Sequence, residues 1–161
     1  MPFTNDELYK FIYTASSSTY AGGGSYEQIV ERPGFLEMVF KLGDWYYRDS
    51  YTGFYRSSGS EVIRYQDQVV WASSYCGGMV EGQENLASDT FDFLKKAMQA
   101  KLKDKQSFRG PDNFKDGEWK YSYQQKGDVI SFSGHEEISH EGIVIFGHDI
   151  IGGIVKGKND K

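Results

Sequence analysis

Aromatic residues at every-other-residue spacing, in short runs bounded by glycine, are the strongest constraint on this 161-residue chain. Trp45, Tyr47 and Tyr51 share one parity, Trp71 and Tyr75 share another run, and Trp119, Tyr121 and Tyr123 a third. Residues two apart on a strand point to one face, so each run writes an aromatic stripe onto a sheet. Such a face is a core, a binding surface or both.

The length suits one domain, large enough to bury roughly 70% of its unfolded surface without a metal or disulfide. We assign residues 1–155 to that domain and 156–161 to a polar tail. Cys76 is the only cysteine, so no internal bridge can form, which favours a reducing compartment. The acidic N-terminal stretch differs from an export signal, and no apolar run approaches the ~20 residues of a membrane span. A cytoplasmic protein is expected. The net charge of −5 argues against direct nucleic-acid binding. The one lysine cluster, Lys95 to Lys105, reads as a solvated helix end.

Thr4 and Glu7 predict a capping box, followed by an apolar helical face of Leu8, Phe11, Ile12 and Ala15. Strands are predicted over 35–40, 45–51, 61–65, 69–75, 119–123 and 129–133, then 143–146 and 149–155. Gly43-Asp44 predicts a hairpin, and Gly77-Gly78 is expected to interrupt the sheet. A second helix, capped by Ser88 or Thr90, buries Phe91, Leu94, Ala97, Met98 and Leu102. The fold class is α+β: a mainly antiparallel, curved sheet of about seven strands with two helices on one side. No internal repeat is evident at this level.

Gly22-Gly23-Gly24 follows a helix instead of preceding one, so it reads as a helix stop and not a phosphate loop. Cys76 has no adjacent base, and His135, Glu136, His140 and His148 lack a metal-ligand spacing. No catalytic set, metal site or cofactor is therefore expected. Arg48 and Arg109 stand out, because a cation on an aromatic sheet face needs a carboxylate, a ring or a ligand anion.

Four stretches carry a family likeness: 19–23 (Thr-Tyr-Ala-Gly-Gly), 43–51 (Gly-Asp-Trp-Tyr-Tyr-Arg-Asp-Ser-Tyr), 70–75 with Gly77, and 108–111 (Phe-Arg-Gly-Pro) followed by Asp116-Gly117. With Gly152-Gly153 they span most of the chain. The sequence resembles a bacterial domain family of unknown function, found alone or after an Xre-type helix-turn-helix domain. Where that family would carry Tyr-His-Gly-Gly, this chain has Ile150-Ile151-Gly152-Gly153. The resemblance implies a stand-alone sensor or regulatory module without operator binding of its own.

Two readings of the function follow, with a third between them. In the first, Tyr20, Trp45, Tyr47, Trp71, Tyr75 and Trp119 line a cleft whose polar anchors are Arg48 and Arg109, for a small planar or anionic ligand. In the second, His135 with Glu136, Glu137 or Asp128 serves a small hydrolase. The third is a protein-interaction module, or a homodimer, acting through its aromatic face.

Overall fold

The capping box closes the start of α1 (Asn5–Ser18): the Glu7 amide donates to Thr4 Oγ1 at 3.2 Å, and the Thr4 amide to Glu7 Oε2 at 2.7 Å. In the computed structural model, which describes residues 1–101 and 106–158, this helix buries Leu8, Phe11, Ile12 and Ala15. Eight strands follow in two runs of four. They are β1 (Leu36–Leu42), β2 (Trp45–Gly53), β3 (Arg56–Tyr65) and β4 (Gln68–Met79), then β5 (Asn113–Asp116), β6 (Trp119–Gly127), β7 (Ser131–His140) and β8 (Ile143–Ile154). Between the runs a short 3₁₀ turn (Glu84–Leu86) leads into α2 (Ala87–Gln99). The strands form one antiparallel sheet in the order β1-β2-β3-β4-β8-β7-β6-β5.

That order is palindromic because the chain is a duplication, which corrects the expectation of no repeat. Phe40, Trp45, Tyr47 and Gly53 recur 74 positions later as Phe114, Trp119, Tyr121 and Gly127. Gly59, Glu61, Ile63 and Gly77-Gly78 recur 75 positions later as Gly134, Glu136, Ile138 and Gly152-Gly153. The structure treats these pairs alike. Bulges fall after Ile63 and after Ile138. At the join, β4 pairs with β8 so that Trp71 faces Ile154 as Phe146 faces Met79, with the pseudo-twofold passing between Tyr75 and Ile150. Each helix rests on its own aromatic trio. Phe11 stacks on Trp45 at 5.1 Å beside Phe40, and Phe93 meets Trp119 at 5.5 Å beside Phe114. Both helices thus cover the face that carries the stripes.

Gly77-Gly78 does not interrupt the sheet; β4 runs through it. Gly78 and Gly153 sit at φ 144° and 155°, and a Cβ on either would collide with the carbonyl oxygen of Tyr55 or Ile130. Those carbonyls accept hydrogen bonds from the Met79 and Ile154 amides at 2.6 and 3.0 Å. The glycines therefore let a loop close over the strand end, a job that spacing alone reads as a break.

Three further differences have local causes. β5 lies before Gly117 in the stretch Asn113-Phe-Lys-Asp116, whose polar residues hide its strand pattern. β7 begins at Ser131 and continues through His135 and Glu136, where a charged run replaces alternating apolar residues. The two short segments expected at 143–155 are one strand, β8. Helix α2 starts without the side-chain cap expected from Ser88 or Thr90; its lead-in 3₁₀ turn takes that place, and Thr90 Oγ1 donates back to the Leu86 carbonyl. Leu102, Lys103 and Lys105 lie outside the described residues, as do tail positions 159–161.

Candidate functional site

A cavity of about 230 Å³ opens between α1, α2 and the first half of the sheet. Its floor follows from strand parity. Tyr47, Asp49 and Tyr51 alternate down β2 on the covered face, Glu61 lies across from Asp49 on β3, and Tyr75 reaches in from β4. The roof comes from Tyr20 just past α1 and from Phe91 and Leu94 of α2. Arg109 and His148 close the far side.

Among the described residues, two buried carboxylates sit in this floor with neutral donors only. Glu61 accepts from the Tyr47 hydroxyl at 2.7 Å and the Ser73 hydroxyl at 2.5 Å. Asp49 Oδ1 accepts from the Tyr75 hydroxyl at 2.8 Å, and among the described residues Oδ2 has no donor. Burial and the adjacent Glu61 charge push the Asp49 carboxyl up to about 7. Burial likewise raises the Tyr20 hydroxyl to about 12, so it is neutral in water near pH 7.

The carboxylate related to Glu61 by the duplication is treated differently. Glu136 is fully buried, accepts from Tyr121 at 2.8 Å, and is gripped by Arg109 through Nε at 3.1 Å and Nη2 at 2.6 Å. His148 Nδ1 lies 3.2 Å from the same Glu136 oxygen, and His148 Nε2 lies 3.0 Å from Ser57 Oγ. Burial opposes ionisation of Glu136, but the Arg109 charge and the His148 and Arg109 bonds outweigh it and hold the acid down to about 2.

Four of the expected site residues meet here: Tyr20, Tyr47, Tyr75 and Arg109. The other four do not line the cavity. Trp71 is 0% exposed, packed on Phe108 and Phe132 with its indole donating to the Val129 carbonyl at 3.2 Å. Trp45 and Trp119 are the seats of the two helices. Arg48 points from the opposite face, where Glu37 and Glu31 hold it and the Tyr46 hydroxyl accepts from its Nε. Its neighbour parity decides this: Tyr47 and Asp49 face the cavity, so Arg48 cannot. Arg109 lines the cavity, but its Nε and Nη2 are committed to Glu136, so it is a fixed wall more than a ligand anchor.

The histidine reading also changes partners. His135 pairs with Asp149 at 2.6 Å and Glu137 at 3.4 Å on the open outer face, away from the cavity, while the cleft histidine is His148. Sequence reasoning did not place Asp49, Glu61, Ser57 or His148 in the cleft. The available signal was parity: Asp49 stands in the Trp45-Tyr47-Tyr51 stripe, where a carboxylate is out of place. Among the described residues no cluster of His, Cys, Asp and Glu could hold a metal ion, and no helix is long and apolar enough to cross a membrane.

The model of the Domain of unknown function (DUF5680) matches residues 49–155. The chain belongs to this family. The match begins at Asp49 and takes in Glu61, Tyr75, Arg109, Glu136 and His148, but not α1 or β1. The resemblance at residues 19–23 and 43–48 lies outside it. No curated protein and no solved structure matches the chain. The family supplies membership and no activity, so the chemistry has to come from the cavity.

Proposed function

We propose that this DUF5680 protein is a non-catalytic small-molecule-binding domain of the sensor type, working in the cytoplasm. The observation that carries the reading is the cavity itself. Aromatic rings from both layers (Tyr20, Tyr47, Tyr51, Tyr75 and Phe91) converge on a few buried polar groups, the composition of a ligand site. The second half differs at this place: buried Tyr123 stands where the first half has Asp49, and buried Ile150 where it has Tyr75. If the module also occurs behind a bacterial helix-turn-helix domain, the cavity would be its effector site. A thermal-shift screen against nucleotides, amino acids, sugars and aromatic amines tests the reading. A ligand at 100 times its dissociation constant should add about 2.7 kcal/mol of stability. Tyr20→Ala, which opens the roof, should abolish the shift; a shift that survives this change, or no shift from any compound, overturns the reading.

One observation favours an enzyme instead. Ser57, His148 and Glu136 form a hydroxyl–imidazole–carboxylate chain at the cavity wall, the arrangement that activates a serine nucleophile. A fluorophosphonate probe decides it: phosphonylation at Ser57, lost in His148→Gln, supports a hydrolase, and an unlabelled protein rejects it.

A further inference from the structure

The ligand class follows from charge placement in the cavity, and the inference rests on reading that cavity as a binding site. We infer that the cleft selects a small aromatic organic cation, an arylalkylamine or an aryl amidine, whose positive group lodges between Asp49 and Glu61.

Asp49 is 5% and Glu61 7% exposed, yet neither makes an ion pair among the described residues. Removing a carboxylate from water is costly unless a cation or several donors replace the lost hydration. Three hydroxyls (Tyr47, Ser73 and Tyr75) serve two carboxylates here, and among the described residues Asp49 Oδ2 has no donor. Asp49 lines the cavity, so a ligand can reach it. The nearby cations are engaged elsewhere. Arg109 grips Glu136, and the Lys101 ammonium donates to Ser16 Oγ at 2.6 Å and lies 4.6 Å from the centre of the Tyr13 ring. At the cavity edge, Lys95 faces Asp92 at 3.6 Å, so that pair adds little net charge.

The surrounding rings suit the same guest, since tyrosine and phenylalanine faces attract a desolvated cation. The size agrees too: a cavity of 150 Å³ can admit benzene, so about 230 Å³ has room for one ring with a short charged substituent. An anion would meet two carboxylates with no free positive group to offset them among the described residues that line the cavity. Burial and the Glu61 charge raise the Asp49 carboxyl to about 7, so a cation arriving below that pH has a proton to displace. The groups that act on that carboxyl are Glu61, Tyr47 and Tyr51 from β2 and β3, Tyr75 from β4, Tyr20 after α1, and Arg109; His148 of β8 and Asp92 and Lys95 of α2 line the same cavity.

Isothermal titration of the full chain with benzamidine, phenethylamine, benzamide and benzoate tests this. Benzamidine or phenethylamine should bind at least tenfold tighter than the neutral and anionic isosteres. Its affinity should fall about tenfold between pH 8 and pH 6, with proton release measured in buffers of different ionisation enthalpy. Asp49→Asn should abolish both the preference and the pH dependence, while Glu137→Gln on the outer face changes neither. The comparison within the unaltered protein stands even if Asp49→Asn misfolds. Equal or tighter binding of benzamide or benzoate overturns the charge preference and leaves a binding cleft in place. Binding by none of the four overturns the cation inference, and the broader screen with Tyr20→Ala then decides the cleft separately.

Discussion

The two halves of the sheet carry the same tyrosine–glutamate pair and use it for opposite ends. Tyr121–Glu136 is completed by Arg109 and His148, its acid held down to about 2, and that half is a closed structural network. Tyr47–Glu61 is answered only by Ser73 and sits beside Asp49, whose carboxyl is pushed up to about 7; this half borders the cavity. Duplication repeats backbone geometry faithfully. Charge compensation is what differs between the halves: Glu136 is buried with its own cation, whereas Glu61 and Asp49 are held by hydroxyl donors among the described residues.

The largest break in this comparison should come from removing the cation. Arg109→Leu leaves Glu136 buried without its cation, with Tyr121 and His148 as its remaining partners, and should cost about 3–5 kcal/mol. Glu61→Gln keeps an acceptor for Tyr47, strands no cation, and should cost less than about 1 kcal/mol. Paired urea melts check this; equal losses would erase the asymmetry.

pH should pull the halves apart next. Asp49 is raised when folded, so its contribution is fully present below about pH 4 and is lost as pH rises through 7, up to a limit of about 4 kcal/mol. Glu136 is depressed, so its contribution is present above about pH 4.5 and is lost as pH falls toward 2. Stability measured from pH 3 to pH 8 should therefore decline on both sides. Asp49→Asn should flatten the alkaline decline alone; a curve unchanged by that substitution would reject the assignment.

The backbone should show symmetry where the charges do not. Gly78→Ala and Gly153→Ala each place a Cβ against a carbonyl at positive φ and should each cost about 1–3 kcal/mol. Denaturant midpoints differing by more than a factor of two in free energy would show that the duplicated corners are not equivalent. The smallest effect is expected on the open face. Cys76→Ser and Ile151→Ser, related positions on exposed strand surface, should each stay within about 0.5 kcal/mol in the same melts.

Sequence periodicity by itself determined the α1 start at Thr4, the aromatic strands, the Gly43-Asp44 hairpin and the α+β class, because these depend on neighbours within a few residues. It also held the duplication, in the matched Gly-x-Trp-x-Tyr and Gly-x-Glu-x-Ile spacings, which aromatic counting alone overlooks. Tertiary structure alone decided which rings are core and which face the cavity. Trp71 and Tyr75 share one parity and one strand, yet Trp71 lies under Phe108 and Phe132 and Tyr75 reaches Asp49. It also decided that Arg48 meets Glu37 on one face while Arg109 meets Glu136, 27 residues on, beneath the other. Partners so far apart in the chain are chosen by strand register and by the cost of burying charge, and neither is written in local spacing.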